Sequence, residues 1–212
     1  MNLFVTGTGT GVGKTYVTRL LLGALAARRE TAAGFKPIAC GDREDAETLF
    51  AASVPEPESL DAINPVHFKS PAAPMAAALI ENSSADLHAI RAAYQNLVDK
   101  YDHVLIEGAG GWEVPIVLGY HMSDLAADLG APVLVVVDNK LGALNNTILT
   151  ANALRDRGLE LAGIVLNYVD EERDSASISN HALLEQILDP PVIIDLLHGE
   201  TEIDWPFSDK RD

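Results

Sequence analysis

The sequence has one cysteine, Cys40, and only 15 lysines and arginines against 31 aspartates and glutamates. A lone thiol rules out an internal disulfide and fits a reducing compartment. A formal net charge of -16 argues against nucleic acid and anionic membrane as partners, since an acidic surface repels both. No uncharged apolar run reaches membrane-spanning length. Met1 leads directly towards an apolar strand, with no basic leader and no hydrophobic signal region. The expectation is a cytoplasmic protein, a single α/β domain over residues 1–212 with a substantial core. No internal repeat or low-complexity tract interrupts it. Because positive charge is scarce, a lysine beside a glycine-rich loop stands out.

Such a loop opens the chain. Residues 3–18 read LFVTGTGTGVGKTYVT. Leu3 to Val5 have the character of a buried strand. Gly7, Gly9, Gly11 and Gly13 then lead to Lys14 and Thr15, and Val17, Leu20 and Leu21 follow at helical spacing. Strand, glycine loop, Gly-Lys-Thr and helix together make a phosphate-binding loop. Glycines let backbone N–H groups turn inward, and the start of a helix adds partial positive charge. Lys14 would reach terminal phosphates, and the Thr15 hydroxyl would meet a magnesium ion. Thr8 stands where the usual spacing has glycine, so the loop is a longer variant.

Further along, Thr31 to Phe35 run extended into Lys36-Pro37, and the proline holds Lys36 out of helical conformation. Lys36 is either a second phosphate contact or an exposed lysine at a strand end. Asp42, Glu44 and Asp45 suit a magnesium ion or a helix start equally. Residues 53–61 read as a surface loop, Val66 to Phe68 as a brief edge strand, and Met75 to Ile80 and Leu87 to Lys100 as helices. In HVLIEGAGG, residues 103–111, Glu107 ends an apolar strand. Ligands of open α/β sheets bind at that end, and an acid there is the usual second magnesium anchor. A solvated turn is the alternative. Pro132 to Val137 predict a central parallel strand, followed by a helix from Ala143 to about Arg157. A strand over Leu161 to Leu166 ends at Asn167, a helix spans His181 to Leu188, and Val192 to Leu196 suggest a last strand. The alternation predicts a P-loop NTPase-like, doubly wound, mostly parallel sheet with helices on both faces. The tail, residues 199–212, has no clear period.

The stretches GTGTGVGKT, GFKPIACG, IEGAGGWEVP, DNKLGALNN and GIVLN, in this order, resemble the dethiobiotin synthetase family. The resemblance implies a homodimeric, magnesium- and ATP-dependent ligase of biotin biosynthesis. Such an enzyme joins 7,8-diaminononanoate and carbon dioxide into a cyclic urea and releases ADP and phosphate. It implies nucleotide contacts from Gly11, Val12, Gly13, Lys14, Thr15 and Tyr16, with Asn167 at adenine. Thr10, Lys14 and Lys36 become the catalytic phosphate contacts, Lys36 also meeting the carbamate. Thr15, Asp45 and Glu107 become the magnesium ligands, with Asp42 as the other way of aligning the short loop Gly41 to Asp45. Cys40, where many members carry serine, falls among the substrate contacts. So do Ala143, Leu144 and Asn145, whose helix start would hold the substrate carboxylate across the dimer interface.

Two further departures stand out. Met75 replaces a frequent histidine, and Ile194-Asp195-Leu196-Leu197-His198 stands where members carry Gly-x-Ile-Pro. The rival readings are a partitioning or cell-division switch ATPase, a cobalamin-type amide ligase and a degenerate nucleotide-binding regulator. The switch ATPases carry an additional lysine early in the loop, and positions 6–12 here contain none.

Overall fold

The computed structural model describes residues 1–172 and 174–207. The first half of the chain forms β1 (Leu3–Gly7), α1 (Lys14–Ala27), β2 (Ala32–Phe35), β3 (Ile38–Cys40), α2 (Glu44–Ala52), α3 (Leu60–Ile63), β4 (Val66–Phe68), α4 (Pro74–Ile80) and α5 (Leu87–Val98). The second half adds β5 (His103–Glu107), β6 (Pro115–Val117), β7 (Tyr120–His121), α6 (Met122–Leu129), β8 (Val133–Asp138), α7 (Ala143–Asp156), β9 (Leu161–Asn167), α8 (Ser175–Leu188) and β10 (Ile193–Leu196).

Six strands form one sheet in the order β10-β9-β8-β1-β5-β2, and every pairing in it is parallel. This is the doubly wound arrangement that alternating strands and helices predict. Parallel strands covered on both faces need apolar side chains on both faces. Val133 to Val137 meet that demand, all five at 0 % exposure. Val5 lies beside Leu134 on one side and Glu107 on the other, so β1 sits at the centre with β8 and β5 flanking it. The carboxyl ends of these three strands therefore converge on the loop after Gly7. Among the described residues, no helix is long and apolar enough to cross a membrane.

Some expectations need correction. Val66 to Phe68 do form a strand, but it pairs in parallel with β3 apart from the main sheet. Inside the expected loop over 53–61, Val54 bridges Ala32 and the turn α3 begins behind a Ser59 cap. The helix expected from His181 starts at Ser175, where Asp174 accepts from the Ser177 N–H at 2.7 Å. Its first turns escaped the hydrophobic period because their buried positions are polar. Ser177 and Asn180 are buried and hydrogen-bonded to Asn139. The short hairpin β6–β7 carries too few residues to show a period. In the tail, Trp205 and Phe207 are buried, with Trp205 edge-on to His103. The tail over 199–212, which shows no clear period, extends at 208–212 outside the described residues.

Candidate active site

The phosphate-loop sequence folds as a tight connection between β1 and α1. Gly13, the residue before α1, has φ of 90°, a left-handed backbone that favours glycine. A side chain there would also collide, since a Cβ would stand 2.2 Å from the Asn167 amide nitrogen. That amide donates to the Val12 carbonyl at 2.9 Å, so the end of β9 buttresses the loop from behind. Sequence reasoning places Asn167 at adenine only; its hold on the loop backbone has no local signal, because 155 residues separate the partners. Tyr16, one turn into α1, gives its hydroxyl to the Glu200 carbonyl and lies under Arg19, 5.1 Å from guanidinium carbon to ring centre. His198 meets the Val169 carbonyl at 2.8 Å, so residues 197–200 lie along the Asn167 end of the loop.

Lys14 is buried, and its Nζ donates to the Gly9 carbonyl at 3.1 Å. Burial, with Lys36 nearby, lowers its pKa to about 8 against the opposing pull of Glu107 and Asp45. Behind it stands a compact ionic group. Lys36 Nζ lies 2.7 Å from Asp45 Oδ2 and 2.5 Å from Glu107 Oε1. Thr15 Oγ1 lies 2.8 Å from both Asp45 Oδ1 and Glu107 Oε1, two acceptors for one hydroxyl proton. Lys36 and Glu107 are buried, at 5 % and 1 % side-chain exposure, while Asp45 is open at 52 %. Burial alone would lower the pKa of Lys36, but Glu107 and Asp45 outweigh it and raise it. Burial likewise pushes Asp45 upward, and Lys36, with Thr15 and Lys14, more than reverses that, so its carboxyl falls below its ordinary value.

Of the loop acids, Asp45 joins this group, whereas Asp42 accepts from the Glu44 N–H at 3.3 Å. Glu107 Oε2 is buried and has no hydrogen-bond partner among the described residues. A threonine hydroxyl, two carboxylates and an orphaned buried carboxylate oxygen are hard donors that fit a divalent cation such as magnesium. Among the described residues, no group of three His, Cys, Asp or Glu side chains gathers here or elsewhere; this site offers two carboxylates and the threonine hydroxyl.

Beside this group lies a cavity of about 450 Å³. Its wall joins Thr10, Lys36, Cys40 and Asp45 to the Pro71–Pro74 turn and to Ala109-Gly110. The two prolines are visible in the sequence as brackets around a turn, but nothing local tells that the turn closes this cavity. Cys40 is half-buried, and burial pushes its thiol up to about 11, so it stays protonated at neutral pH. Ala143, Leu144 and Asn145 form the first turn of α7, after β8 and on the same sheet end as the loop. Ala143 is buried, Leu144 half-buried and Asn145 exposed, and none of the three lines the cavity.

Comparison with known proteins gives this geometry a family. A family model described as an AAA domain matches residues 1–196. The ATP-dependent dethiobiotin synthetase BioD of Akkermansia muciniphila is 47% identical over 203 residues, 96% of this chain and 95% of the relative. The chain belongs to the dethiobiotin synthetase family. A second dethiobiotin synthetase, from Aromatoleum aromaticum, is 40% identical over 90% of this chain and 87% of its own. The septum site-determining protein MinD of Pyrococcus horikoshii, complexed with Mg-ADP, superimposes with a TM-score of 0.52 at 18% identity. That match covers 92% of this chain and 82% of MinD, and it shows a shared P-loop fold alone. Kinship at the sequence level lies with the dethiobiotin synthetases.

Proposed function

We propose that this chain is an ATP-dependent dethiobiotin synthetase, a ligase forming C–N bonds, acting on 7,8-diaminononanoate and carbon dioxide. The observation that carries the reading is the position of Lys36. It lines the cavity and also belongs to the ionic group behind the phosphate loop, so one cation serves both substrates' reacting ends. An unprotonated amine of the diamine adds carbon dioxide and loses a proton to give a carbamate, whose oxygen attacks the γ-phosphorus of ATP and expels ADP. The second amine then displaces phosphate and closes the five-membered ring. Both amines sit on adjacent carbons, so this step draws on a high effective concentration and needs no protein nucleophile. The protonated thiol of Cys40 is consistent with that, and its place in the cavity supports reading it as a substrate contact.

Phosphoryl transfer asks the protein chiefly for alignment and charge. Lys14, Thr10 and the backbone of Gly11, Val12 and Gly13 hold phosphate oxygens, with Tyr16 and Asn167 towards the nucleoside. Lys36 faces the carbamate. Thr15, Asp45 and Glu107 would hold magnesium, which when bound offsets negative charge on the phosphate oxygens. The diamine carboxylate lies far from its amines, and the α7 start is outside the cavity. The reading therefore assigns Ala143, Leu144 and Asn145 to the partner's substrate in a homodimer, a helix N-terminus receiving a carboxylate. Residues 1–212 act as one catalytic unit. Phosphate release is the direct test. It should require both the diamine and bicarbonate, and equal release without the diamine would overturn the reading in favour of a switch ATPase.

A further inference from the structure

Lys36, Asp45 and Glu107 raise a problem of charge and place. Lys36 Nζ binds Asp45 Oδ2 and Glu107 Oε1, and Thr15 Oγ1 leans on the same Glu107 oxygen and on Asp45 Oδ1. Lys14, the other nearby cation, is turned to the Gly9 carbonyl. Glu107 therefore has Lys36 as the cation in direct contact with its buried carboxylate. An uncompensated buried carboxylate is strongly destabilising, so this contact is a condition of the fold in the absence of metal. Yet the oxygens Lys36 occupies belong to the set that fits a divalent cation. A metal ion held by the free Glu107 Oε2 and by Asp45 would set two positive charges beside the Lys36 ammonium, and that repulsion, with competition for the same two carboxylates, works against the ammonium's contacts.

We propose that Lys36 is the resident counter-ion of the divalent-cation site, and that arrival of the metal displaces its ammonium from Asp45 and Glu107. The displaced ammonium already lines the cavity, so metal binding releases it to face the carbamate. The inference rests on the metal site of the proposed function and adds an order of events: Lys36 is withheld until the metal is in place. It also explains how one lysine can be buried against carboxylates and still meet a second substrate. The displacement predicts that free magnesium binds the nucleotide-free protein weakly, because it must first evict a cation.

Thermal unfolding in magnesium chloride alone, at constant ionic strength and without nucleotide, tests this on the intact chain. Lys36→Met should melt lower than the parent in a chelator, because Asp45 and Glu107 lose their partner. Added magnesium should then raise its melting temperature with a midpoint about tenfold or more below that of the parent, since no ammonium competes. Lys36→Gln carries the same expectation and keeps a hydrogen-bond donor if the methionine variant folds poorly. Lys36→Arg, which keeps the charge, should titrate near the parent. A Lys36→Met or Lys36→Gln midpoint equal to or above the parent's overturns the displacement. Glu107→Gln separates the two levels of the reading. If it responds to magnesium as the parent does, the metal site itself is wrong. If it loses the response while Lys36→Met titrates like the parent, the site stands and the displacement alone fails.

Discussion

Gly13→Ala should destabilise the protein through Asn167, and the coupling between the two positions is measurable. Gly13 holds φ of 90°, and a Cβ there would stand 2.2 Å from Asn167 Nδ2, far inside contact distance. Alanine in a left-handed conformation costs about 1–2 kcal/mol. Asn167 must also move, and its amide is 5 % exposed and bonded to the Val12 carbonyl at 2.9 Å. Losing that bond, with a buried carbonyl left short of its donor, costs about 1–3 kcal/mol. Gly13→Ala alone should therefore lose about 2–5 kcal/mol. Asn167→Ala alone forfeits the same hydrogen bond, about 1–3 kcal/mol, but clears the space beside Gly13. The double variant suffers the backbone strain once and the lost bond once, so it should be scarcely worse than Gly13→Ala. The two single losses should then sum to about 1–3 kcal/mol more than the double loss. Urea denaturation of the four proteins measures this directly. A double variant whose loss equals or exceeds the sum would refute the claim that the missing side chain of Gly13 makes room for Asn167.

Other outcomes are expected. With its thiol at about 11, Cys40 at pH 8 is roughly one part in a thousand thiolate, so alkylation should run roughly 200-fold slower than for an ordinary thiol. Its rate should climb about tenfold per pH unit towards 11, and a plateau near pH 8 by mass spectrometry would contradict the burial argument. Lys14→Ala should lose about 3 kcal/mol of transition-state stabilisation, and Asn145→Ala should weaken diamine binding while sparing ATP. In the proposed homodimer, mixing those two variants should restore activity at one of the two sites; no recovery after confirmed subunit exchange would place each site within one chain. Thr6 Oγ1 is buried with no hydrogen-bond partner among the described residues, so Thr6→Val should hold or raise stability by up to about 1 kcal/mol. A lower urea midpoint would mean that the hydroxyl has a partner after all.

How much of this was legible beforehand depended on whether each signal was local. The glycine spacing before Lys14, the Lys36-Pro37 stop and an acid closing an apolar strand at Glu107 each carry their chemistry within a few residues. The sheet was legible for the same reason, because Val133 to Val137 are apolar without alternation. What escaped was decided by distant partners. Ser177 and Asn180 look solvent-facing until Asn139 supplies their hydrogen bonds from 38 and 41 residues away. Trp205 finds its packing against His103 across a much wider gulf of sequence. The convergence of Asp45, Lys36 and Glu107 on Thr15 also needed the folded sheet. Spacing alone left Asp42 and Asp45 equivalent, and the start of α2 turns only Asp45 towards the lysine.

The place of β1 in the middle of the sheet bears on how the protein is made. Leu3 and Phe4 leave the ribosome well before their neighbours, Leu105 on one side and Val133 on the other. At ordinary synthesis speeds the second of these follows on the order of 10 s later. Until then the most apolar strand ends of the nascent chain lack the neighbours that cover them, and the loop that follows has no frame. Contacts so far apart in sequence also slow folding, because a large loop must close before they form. A ribosome-bound chain arrested before Val133 should therefore engage general chaperones and fail to retain ATP, although it already contains every residue from Gly7 to Thr15. The glycine loop is synthesised long before it becomes a binding site.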